Sequence, residues 1–232
     1  MAEKLGDIGL WESQEALSWG NSTGEKSDMA LADSTVCGFL EEVARTSPTV
    51  PAGGCVVGLA GALASSLGRF VAALSAKKAE GHGKAERYHA MGVRLELLQK
   101  RCLALMDQDL EACERLFQAR LSIARAGAGG DRQVLQEAAK ALMEPPLSLA
   151  RLGLELLRIT MELVHQGAPV ARADAGVAAE MANACARGGL WIARANLGIL
   201  KKGLGSSHAE TLDHLEVELE ALYGRVSQEM GK

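Results

Sequence analysis

Pro51-Ala-Gly-Gly-Cys-Val-Val-Gly-Leu-Ala-Gly-Ala-Leu-Ala64 is the most informative stretch of this chain, and it lies within a run of 22 residues that carries no charge. Pro51 fixes φ, and Gly53 and Gly54 allow a tight turn directly before a helix of small residues that we predict over Cys55–Lys77. The first turn of such a helix has unpaired N–H groups and the positive end of the helix dipole. The stretch therefore predicts a helix mouth that can hold a carboxylate, a phosphate or a carbonyl oxygen.

Composition indicates one helical domain. Aromatic residues make up only 3% of the 232 residues, and the net charge is −4. No basic stretch with interleaved aromatic residues is present, so we predict no nucleic-acid partner. The five cysteines show no CxxC spacing and are typical of buried thiols in a reducing cytoplasm.

The uncharged run Ser47–Gly68 has the length of a membrane span. Because it contains five glycines and two prolines and no flanking aromatic belt, we expect a buried helix and no membrane partner.

Helical periodicity dominates the chain, and no alternating pattern bounded by turn residues indicates a strand. We predict that residues 1–28, with Trp11 and Trp19, form a loosely ordered extension and that residues 29–232 form one helical domain. Pro145-Pro146 ends one helix, and Gly127–Gly130 is a loop. The predicted helices are Ala32–Arg45, Cys55–Lys77, Lys84–Ala124 (one helix or a kinked pair), Gln133–Met143, Leu147–Gln166, Asp174–Lys202 and His208–Met230. The fold class is therefore all-α, an antiparallel multi-helix array.

Asp109 is the strongest candidate for a catalytic group. A projection of Lys84–Ala124 at 100° per residue places Asp109 in the middle of an apolar arc, whereas Asp107 lies off that arc. The arc consists of Met91, Leu95, Leu98, Cys102, Leu105, Cys113 and Leu116. A carboxylate on an apolar stripe must be paired, hydrogen-bonded or functional, because burying it alone is very costly. The structural alternative is an ion pair with an arginine of another helix.

Two polar residues of the predicted helix Asp174–Lys202 are further candidates. Asn196 lies on its core-facing stripe, where it could contact a ligand or satisfy a helix end or a partner chain. Asp174 is placed to cap the helix N-terminus, and we favour capping over ligand contact there.

Two Glu-x-x-His pairs, Glu86…His89 and Glu162…His165, are compatible with a metal site in a helical bundle. The projection places both pairs on polar faces, and Arg158 is spaced to pair with Glu155 and Glu162 along one helix. We therefore predict no metal site.

Five stretches carry a resemblance to a known family. Pro51–Ala64 resembles the Pro-Gly-Gly-Gly-Ser-x-x-Ala-Leu-x-Gly-Ala motif of the formiminotetrahydrofolate cyclodeaminase/methenyltetrahydrofolate cyclohydrolase family. Four further stretches resemble motifs of that family in the same order: Asp107-Gln-Asp109-Leu-Glu-Ala112, Pro145-Pro-Leu147, Ala173-Asp-Ala-Gly-Val-Ala-Ala179 and Ile192-x-x-x-Asn196-Leu. The resemblance runs from about Met29 to the C-terminus.

The resemblance implies a cytoplasmic homodimer that associates through helices and acts on a one-carbon group carried by tetrahydrofolate. The reaction would be that of a cyclohydrolase or of a cyclodeaminase, with no cofactor besides the folate substrate. The implied catalytic residues are Asp109, as general acid/base, and Asp107. The implied substrate-binding residues are Pro51, Gly53, Gly54, Cys55, Lys77, Lys78, Asp174 and Asn196. The lysines would meet the glutamate tail of the folate. The small residues of Cys55–Lys77 and the apolar positions that nearly encircle Leu147–Val164 also favour a dimer.

The chain departs from the family motifs at ligand-facing positions. Ala52 and Cys55 replace a glycine and a serine, Cys113 replaces an aromatic residue, and only Lys77-Lys78 remains of a longer basic run. Cys55 at a helix N-terminus could also be an activated thiol, although a packing replacement is the simpler interpretation. The alternative hypothesis is a divergent member without folate activity, acting as a helical interaction protein or on another substrate.

Overall fold

The computed structural model describes residues 30–46, 51–80, 83–126, 132–200 and 206–231. The predicted N-terminal extension, with Trp11 and Trp19, and the predicted loop Gly127–Gly130 lie outside the described residues. The described part is all-helical and contains no strand. Its α-helices are α1 (Val36–Val43), α2 (Gly53–Lys78), α3 (Ala85–Ala126), α4 (Arg132–Ala141), α5 (Glu144–Gln166), α6 (Arg172–Leu197) and α7 (Ser206–Met230). Two short 3-10 turns, Leu31–Asp33 and Pro169–Ala171, precede α1 and α6.

Several helix boundaries differ from the sequence-based predictions. The predicted helix Ala32–Arg45 is a 3-10 turn followed by α1, because the Thr35 side chain accepts a hydrogen bond from Gly38 N and caps a new helix there. Lys84–Ala124 is one long helix rather than a kinked pair. Pro145 and Pro146 lie in the first turn of α5 rather than before it, since a proline there lacks only an N–H that would have no helical partner.

Helix α2 is the central element, and its glycines allow its neighbours to approach. A Cβ added at Gly61 would lie 2.7 Å from Cys102 Sγ of α3 and 2.8 Å from Cys185 Sγ of α6. Gly61 lies against Cys102, and Gly68 lies against Leu95. Residue numbers therefore fall along α3 as they rise along α2, so the two helices run antiparallel. The sequence predicted close approach at these glycines, and the structure identifies the partners.

Helix α5 runs parallel to α2 and is covered on most sides within the protomer. Gly68 lies near Thr160, and Gly167 lies near Ser75, so the two helices keep one register and begin at the same end of the bundle. Helices α2, α3, α6 and α7 all contact α5. The apolar positions that encircle Leu147–Val164 are therefore buried inside one chain and do not require a second copy.

By length and composition, α2 is the one helix among the described residues that could cross a membrane, and 56% of its most apolar window is buried inside the protein. This burial agrees with its role as a core helix. The buried side of α2 faces α3, α5 and α6, whereas the residues of its opposite side are exposed or half-buried.

Ion pairs connect the outer surfaces of the other helices. Arg87 and Arg94 of α3 pair with Glu162 and Glu155 of α5, each at 2.5 Å between nitrogen and oxygen. Arg158 pairs with Glu218 of α7 rather than along its own helix. The predicted pairs of Arg158 with Glu155 and Glu162 are therefore wrong, because packed helices offer both glutamates cross-helix partners.

Candidate functional site

Asp109 is buried against the start of α2. Only 4% of its surface is exposed. A Cβ added at Gly54 would overlap all three atoms of the Asp109 carboxyl group, so only glycine fits at position 54 while the carboxyl group keeps this position. Burial raises the pKa of Asp109 to about 6 from its usual 3.8, and no arginine among the described residues counteracts this shift. The burial predicted from the helical projection is thus observed, and the alternative ion pair with an arginine is not seen in the described part of the chain.

Two thiols lie close to this carboxyl group. Cys55 is buried, and its Sγ donates a hydrogen bond to Met106 O at 3.3 Å. Burial and the charge of Asp109 raise the pKa of Cys55 to about 12, and the same two causes raise the pKa of the half-buried Cys113 to about 12. Both thiols are therefore protonated at neutral pH. The interpretation of Cys55 as an activated thiol is wrong, because burial beside a carboxylate outweighs its place at a helix N-terminus.

The first turn of α2 presents backbone donors next to Asp109. The N-cap residue Ala52 supplies no side-chain cap, and the first helical bond runs from Val56 N to Ala52 O at 3.1 Å. The N–H groups of Gly53, Gly54 and Cys55 precede that bond and have no carbonyl partner within the helix. Gly53 is exposed, and a Cβ added to it would lie 3.4 Å from Ile192 Cδ1 of α6. The predicted mouth therefore lies between the start of α2 and the last turns of α6, with Pro51 buried beneath it.

Asn196 and Asp107 make structural contacts near this mouth. Asn196 Nδ2 donates to Leu142 O at 3.1 Å and satisfies the carbonyl just after α4, so the structural alternative for this residue is observed. Asp107 Oδ1 accepts a hydrogen bond from Leu31 N at 3.0 Å and anchors the first 3-10 turn to α3. The sequence could not reveal either partner, because Leu142 and Leu31 are distant along the chain and contribute only backbone atoms.

Four of the five family-like stretches meet at one end of the bundle, which we call the site end. It contains the starts of α2 and α5, the middle of α3 around Asp109 and the last turns of α6 around Ile192 and Asn196. Gly189 of α6 packs against Pro146 O, which brings the Pro145-Pro-Leu147 stretch to the same end.

Lys77, Lys78 and Asp174 lie toward the opposite end of α2, which we call the far end. Lys77 is 23 residues along α2 from Gly54, which corresponds to about 35 Å at the rise of an α-helix. Asp174 lies in the first turn of α6, which runs antiparallel to α2. The predicted capping role of Asp174 is wrong, because the helix begins at Arg172 and its N-cap is Ala171. Within one protomer the structure does not bring these three residues to the mouth.

A surface cavity that is defined by described residues lies elsewhere. It has a volume of about 420 Å³ and lies between α2 and α3, lined by Arg69, Phe70, His89, Val93 and Glu96 among others. Arg69 is engaged there by Gln99 and Glu96. None of the lining residues belongs to the family-like stretches, so this cavity is not the candidate site.

Comparison with known proteins shows the family and the fold of this chain. The model of the formiminotransferase-cyclodeaminase family matches residues 35–208. No curated protein matches the chain. Among solved structures, the crystal structure of a formiminotetrahydrofolate cyclodeaminase from Thermotoga maritima is similar, with a TM-score of 0.77 and 23% sequence identity. The alignment covers 86% of this chain and 96% of that one, so the two share a fold. This chain is a member of the formiminotransferase-cyclodeaminase family.

Proposed function

We propose that this protein catalyses a one-carbon reaction on tetrahydrofolate, either as a methenyltetrahydrofolate cyclohydrolase or as a formiminotetrahydrofolate cyclodeaminase. The observation that carries the proposal is the buried Asp109 carboxyl group at the start of α2. A carboxyl group with a pKa of about 6 can both accept and return a proton near neutral pH. Membership of the family supports the folate as substrate.

Asp109 transfers a proton in each reaction. In the cyclohydrolase reaction, Asp109 takes a proton from water as the water oxygen bonds to the methenyl carbon. It then returns that proton to N5 as the C–N5 bond breaks, and the remaining hydroxyl proton leaves to solvent as the carbonyl of the N10 formyl group forms. In the cyclodeaminase reaction, N10 bonds to the formimino carbon and passes its proton to the formimino nitrogen. Asp109 donates a second proton to that nitrogen, which departs as ammonia as its bond to carbon breaks. Both reactions use proton transfer at one carbon bonded to two nitrogens.

The mouth would hold the folate through backbone atoms. Gly53 and Gly54 offer N–H donors, and the missing side chain at Gly54 leaves room for the Asp109 carboxyl group beside them. Asp107 and Asn196 would act by positioning, since each fixes a neighbouring backbone segment. The proposed reactions need only the folate, water and proton transfer, so we expect no cofactor, and we expect the enzyme in the cytoplasm.

We also propose that the enzyme is a homodimer. The support is the outward side of α2, which we call the α2 outer face and define as Val56, Leu59, Ala60, Leu63, Ser66, Leu67, Phe70, Ala73 and Leu74. These residues are exposed or half-buried, and none carries a charge. Light scattering at micromolar concentration should give twice the mass of one chain.

The experiment for the proposed activity is a turnover assay of purified protein on 5,10-methenyltetrahydrofolate and on 5-formiminotetrahydrofolate. We expect turnover of at least one, with the Asp109→Asn variant as the inactive control. Absence of turnover and of binding for both folates would contradict the proposal and favour the interaction-protein alternative.

A further inference from the structure

We propose that residues 31–43, which we call the cover, open locally and control access to the pocket of Asp109. The cover comprises the first 3-10 turn and α1. Phe39 and Asp107 are the positioning residues that hold it closed. Its consequence for catalysis rests on the proposed function, whereas its opening can be measured without any folate.

The first step is the place of the cover at the site end. Phe39 of the cover forms one buried cluster with Cys55 of α2 and Met106 of α3. These three side chains are 6%, 0% and 1% exposed. Leu31 and Val43, at the two ends of the cover, pack against the same cluster, which is distinct from the main core. The cover therefore lies across the contact between α2 and α3.

The second step is the wall that the cover shares with the carboxyl group. Cys55 follows Gly54, whose missing Cβ makes room for the Asp109 carboxyl group. Met106 lies one helical turn before Asp109, and its carbonyl oxygen accepts a hydrogen bond from the Cys55 thiol at 3.3 Å. After burial, the charge of Asp109 is the main cause of the raised pKa of Cys55, so the two groups are close. Cys55 and Met106 thus separate the cover from Asp109.

The third step is the weak attachment of the cover. Phe39 is the one buried residue of α1, whereas Val36 and Leu40 are 77% and 59% exposed. Among the described residues, one hydrogen bond joins the cover to the rest of the chain, from Leu31 N to Asp107 Oδ1 at 3.0 Å. Segments with few buried apolar contacts open at a lower free energy than the core.

Helix α7, the last described helix, is attached more firmly. Its buried side chains are Leu212, Leu219, Leu222 and Val226. Three arginines of α5 and α6 also pair with its carboxylates: Arg158, Arg187 and Arg194. The cover is therefore the segment that can open while the rest of the bundle stays folded.

The fourth step is the effect of opening on the site. The mouth approaches the start of α2 from the side of α6, at Gly53, whereas the cover lies on the side of Cys55. An open cover brings water to the wall beside Asp109 and reduces the burial that raises the pKa of that carboxyl group. The thiols of Cys55 and Cys113 beside it stay protonated, so burial governs its charge. The closed cover thus preserves the raised pKa on which the proposed proton transfer depends.

Thiol labelling measures the opening without any substrate. In a Cys37→Ser background, which removes the exposed thiol of α1, N-ethylmaleimide should label Cys55 well before Cys102 and Cys185, although all three are fully buried. Cys102 and Cys185 belong to the main core, so they report unfolding of the whole bundle. Mass spectrometry of the labelled peptides identifies each site. Equal labelling rates for the three thiols would overturn the proposal, because the cover would then open only when the whole protein unfolds.

Phe39→Ala tests whether the cover is what protects Cys55. Loss of the buried ring should speed the labelling of Cys55 at least tenfold and leave the rates of Cys102 and Cys185 unchanged. Leu40→Ala is the matched control, since Leu40 lies on the same helix and is mostly exposed, and it should change none of the three rates. Acceleration of all three thiols by Phe39→Ala, or of none, would contradict the proposal.

Two variants of Asp107 provide a test that keeps the Phe39 ring in place. Asp107→Ala removes the acceptor for Leu31 N and should speed the labelling of Cys55 about fivefold. Asp107→Asn retains an acceptor oxygen and should leave the rate unchanged. Equal rates in the two variants would contradict the assignment of Asp107 as a positioning residue of the cover.

The pH dependence of kcat in the folate assay tests the link between the cover and Asp109. Phe39→Ala should move the inflection from near pH 6 towards 3.8, because water reaches the carboxyl group, whereas Leu40→Ala should leave the inflection in place. A Phe39→Ala variant that speeds Cys55 labelling but keeps the inflection would contradict control of Asp109 by the cover. If the parent protein turns over neither folate, the proposed function fails, while the labelling rates still decide whether the cover opens.

Discussion

The buried polar groups at the two ends of α2 differ in how fully hydrogen bonds compensate their burial. At the far end, Ser75 Oγ accepts a hydrogen bond from Ala168 N at 2.8 Å and donates one to Val71 O at 2.7 Å. Nearby, Tyr88 donates to Gln166 O. At the site end, the equally buried Asp109 carboxyl group has a raised pKa that burial alone explains. An incompletely compensated carboxylate destabilises a fold. Its retention at the end where the family-like stretches meet supports our proposal that this end is the functional one.

The largest effect is expected for Asp109→Asn. The amide keeps the shape of the side chain but cannot accept and return a proton, so turnover should fall by about 10²–10⁴. Helical circular dichroism should be unchanged, since no ion pair or cap among the described residues is lost. An Asp109→Asn variant with full activity would show that the carboxylate has only a structural role.

Gly54→Ala compared with Gly58→Ala separates function from packing. Both substitutions add a Cβ to the contact between α2 and α3, but the one at Gly54 overlaps the Asp109 carboxyl group and the one at Gly58 lies 2.6 Å from Met106 Cγ. We expect both to lower stability by about 1–3 kcal/mol. Only Gly54→Ala should also lower the activity of the folded protein, by tenfold or more. Equal activity of the two folded variants would contradict a role of the Asp109 carboxyl group in the reaction.

The pH dependence of stability gives an effect of intermediate size. Because burial raises the pKa of Asp109 in the folded state above 3.8, the fold is more stable with this carboxyl group protonated than with it ionised. This stabilisation is fully present below about pH 4 and is lost as the pH rises through about 6. Asp109→Asn should remove this loss and stabilise the protein at pH 8 by up to about 3 kcal/mol. Chemical denaturation of both proteins at pH 4 and pH 8 measures this difference. A variant that is destabilised at pH 8 would show that the carboxylate has a compensating partner.

Ser75→Ala is the corresponding change at the far end. It removes the acceptor for Ala168 N and should cost about 1–2 kcal/mol, with no change in the activity of the folded protein. A selective loss of turnover without loss of stability would contradict the division between the two ends.

Asp107→Asn should have the smallest effect on catalysis. The amide oxygen can still accept the hydrogen bond from Leu31 N, so the 3-10 turn stays anchored. We expect turnover within a few-fold of the parent in the same folate assay. A loss as large as that of Asp109→Asn would assign Asp107 to the catalytic machinery.

The sequence predicts the fold class and the buried carboxylate well, because both follow from helical periodicity. The apolar arc around Asp109 is a property of one helix and is visible in one dimension. The beginning of α5 at Glu144 was missed, because proline both ends one helix and is accepted in the first turn of the next.

Contacts between distant parts of the chain could not be predicted. Asn196 binds a backbone carbonyl 54 residues away, and any residue at position 142 could supply it. Lys77 and Lys78 belong to the same helix as Gly53 and Gly54, but they lie at its opposite end. The encircling apolar positions of α5 indicated burial correctly, although the partners that bury them belong to the same chain.

The pH dependence of kcat, measured for the parent and for Asp109→Asn, tests the central claim most directly. The account predicts that the parent has an inflection near pH 6 and that the variant's residual rate lacks it. Loss of activity as the pH falls through 6 would identify the carboxylate as the base of the cyclohydrolase reaction. Loss as the pH rises through 6 would identify it as the acid of the cyclodeaminase reaction. An active parent whose kcat is flat between pH 5 and pH 8, or a variant that keeps the inflection, would contradict the assignment of Asp109 as general acid/base.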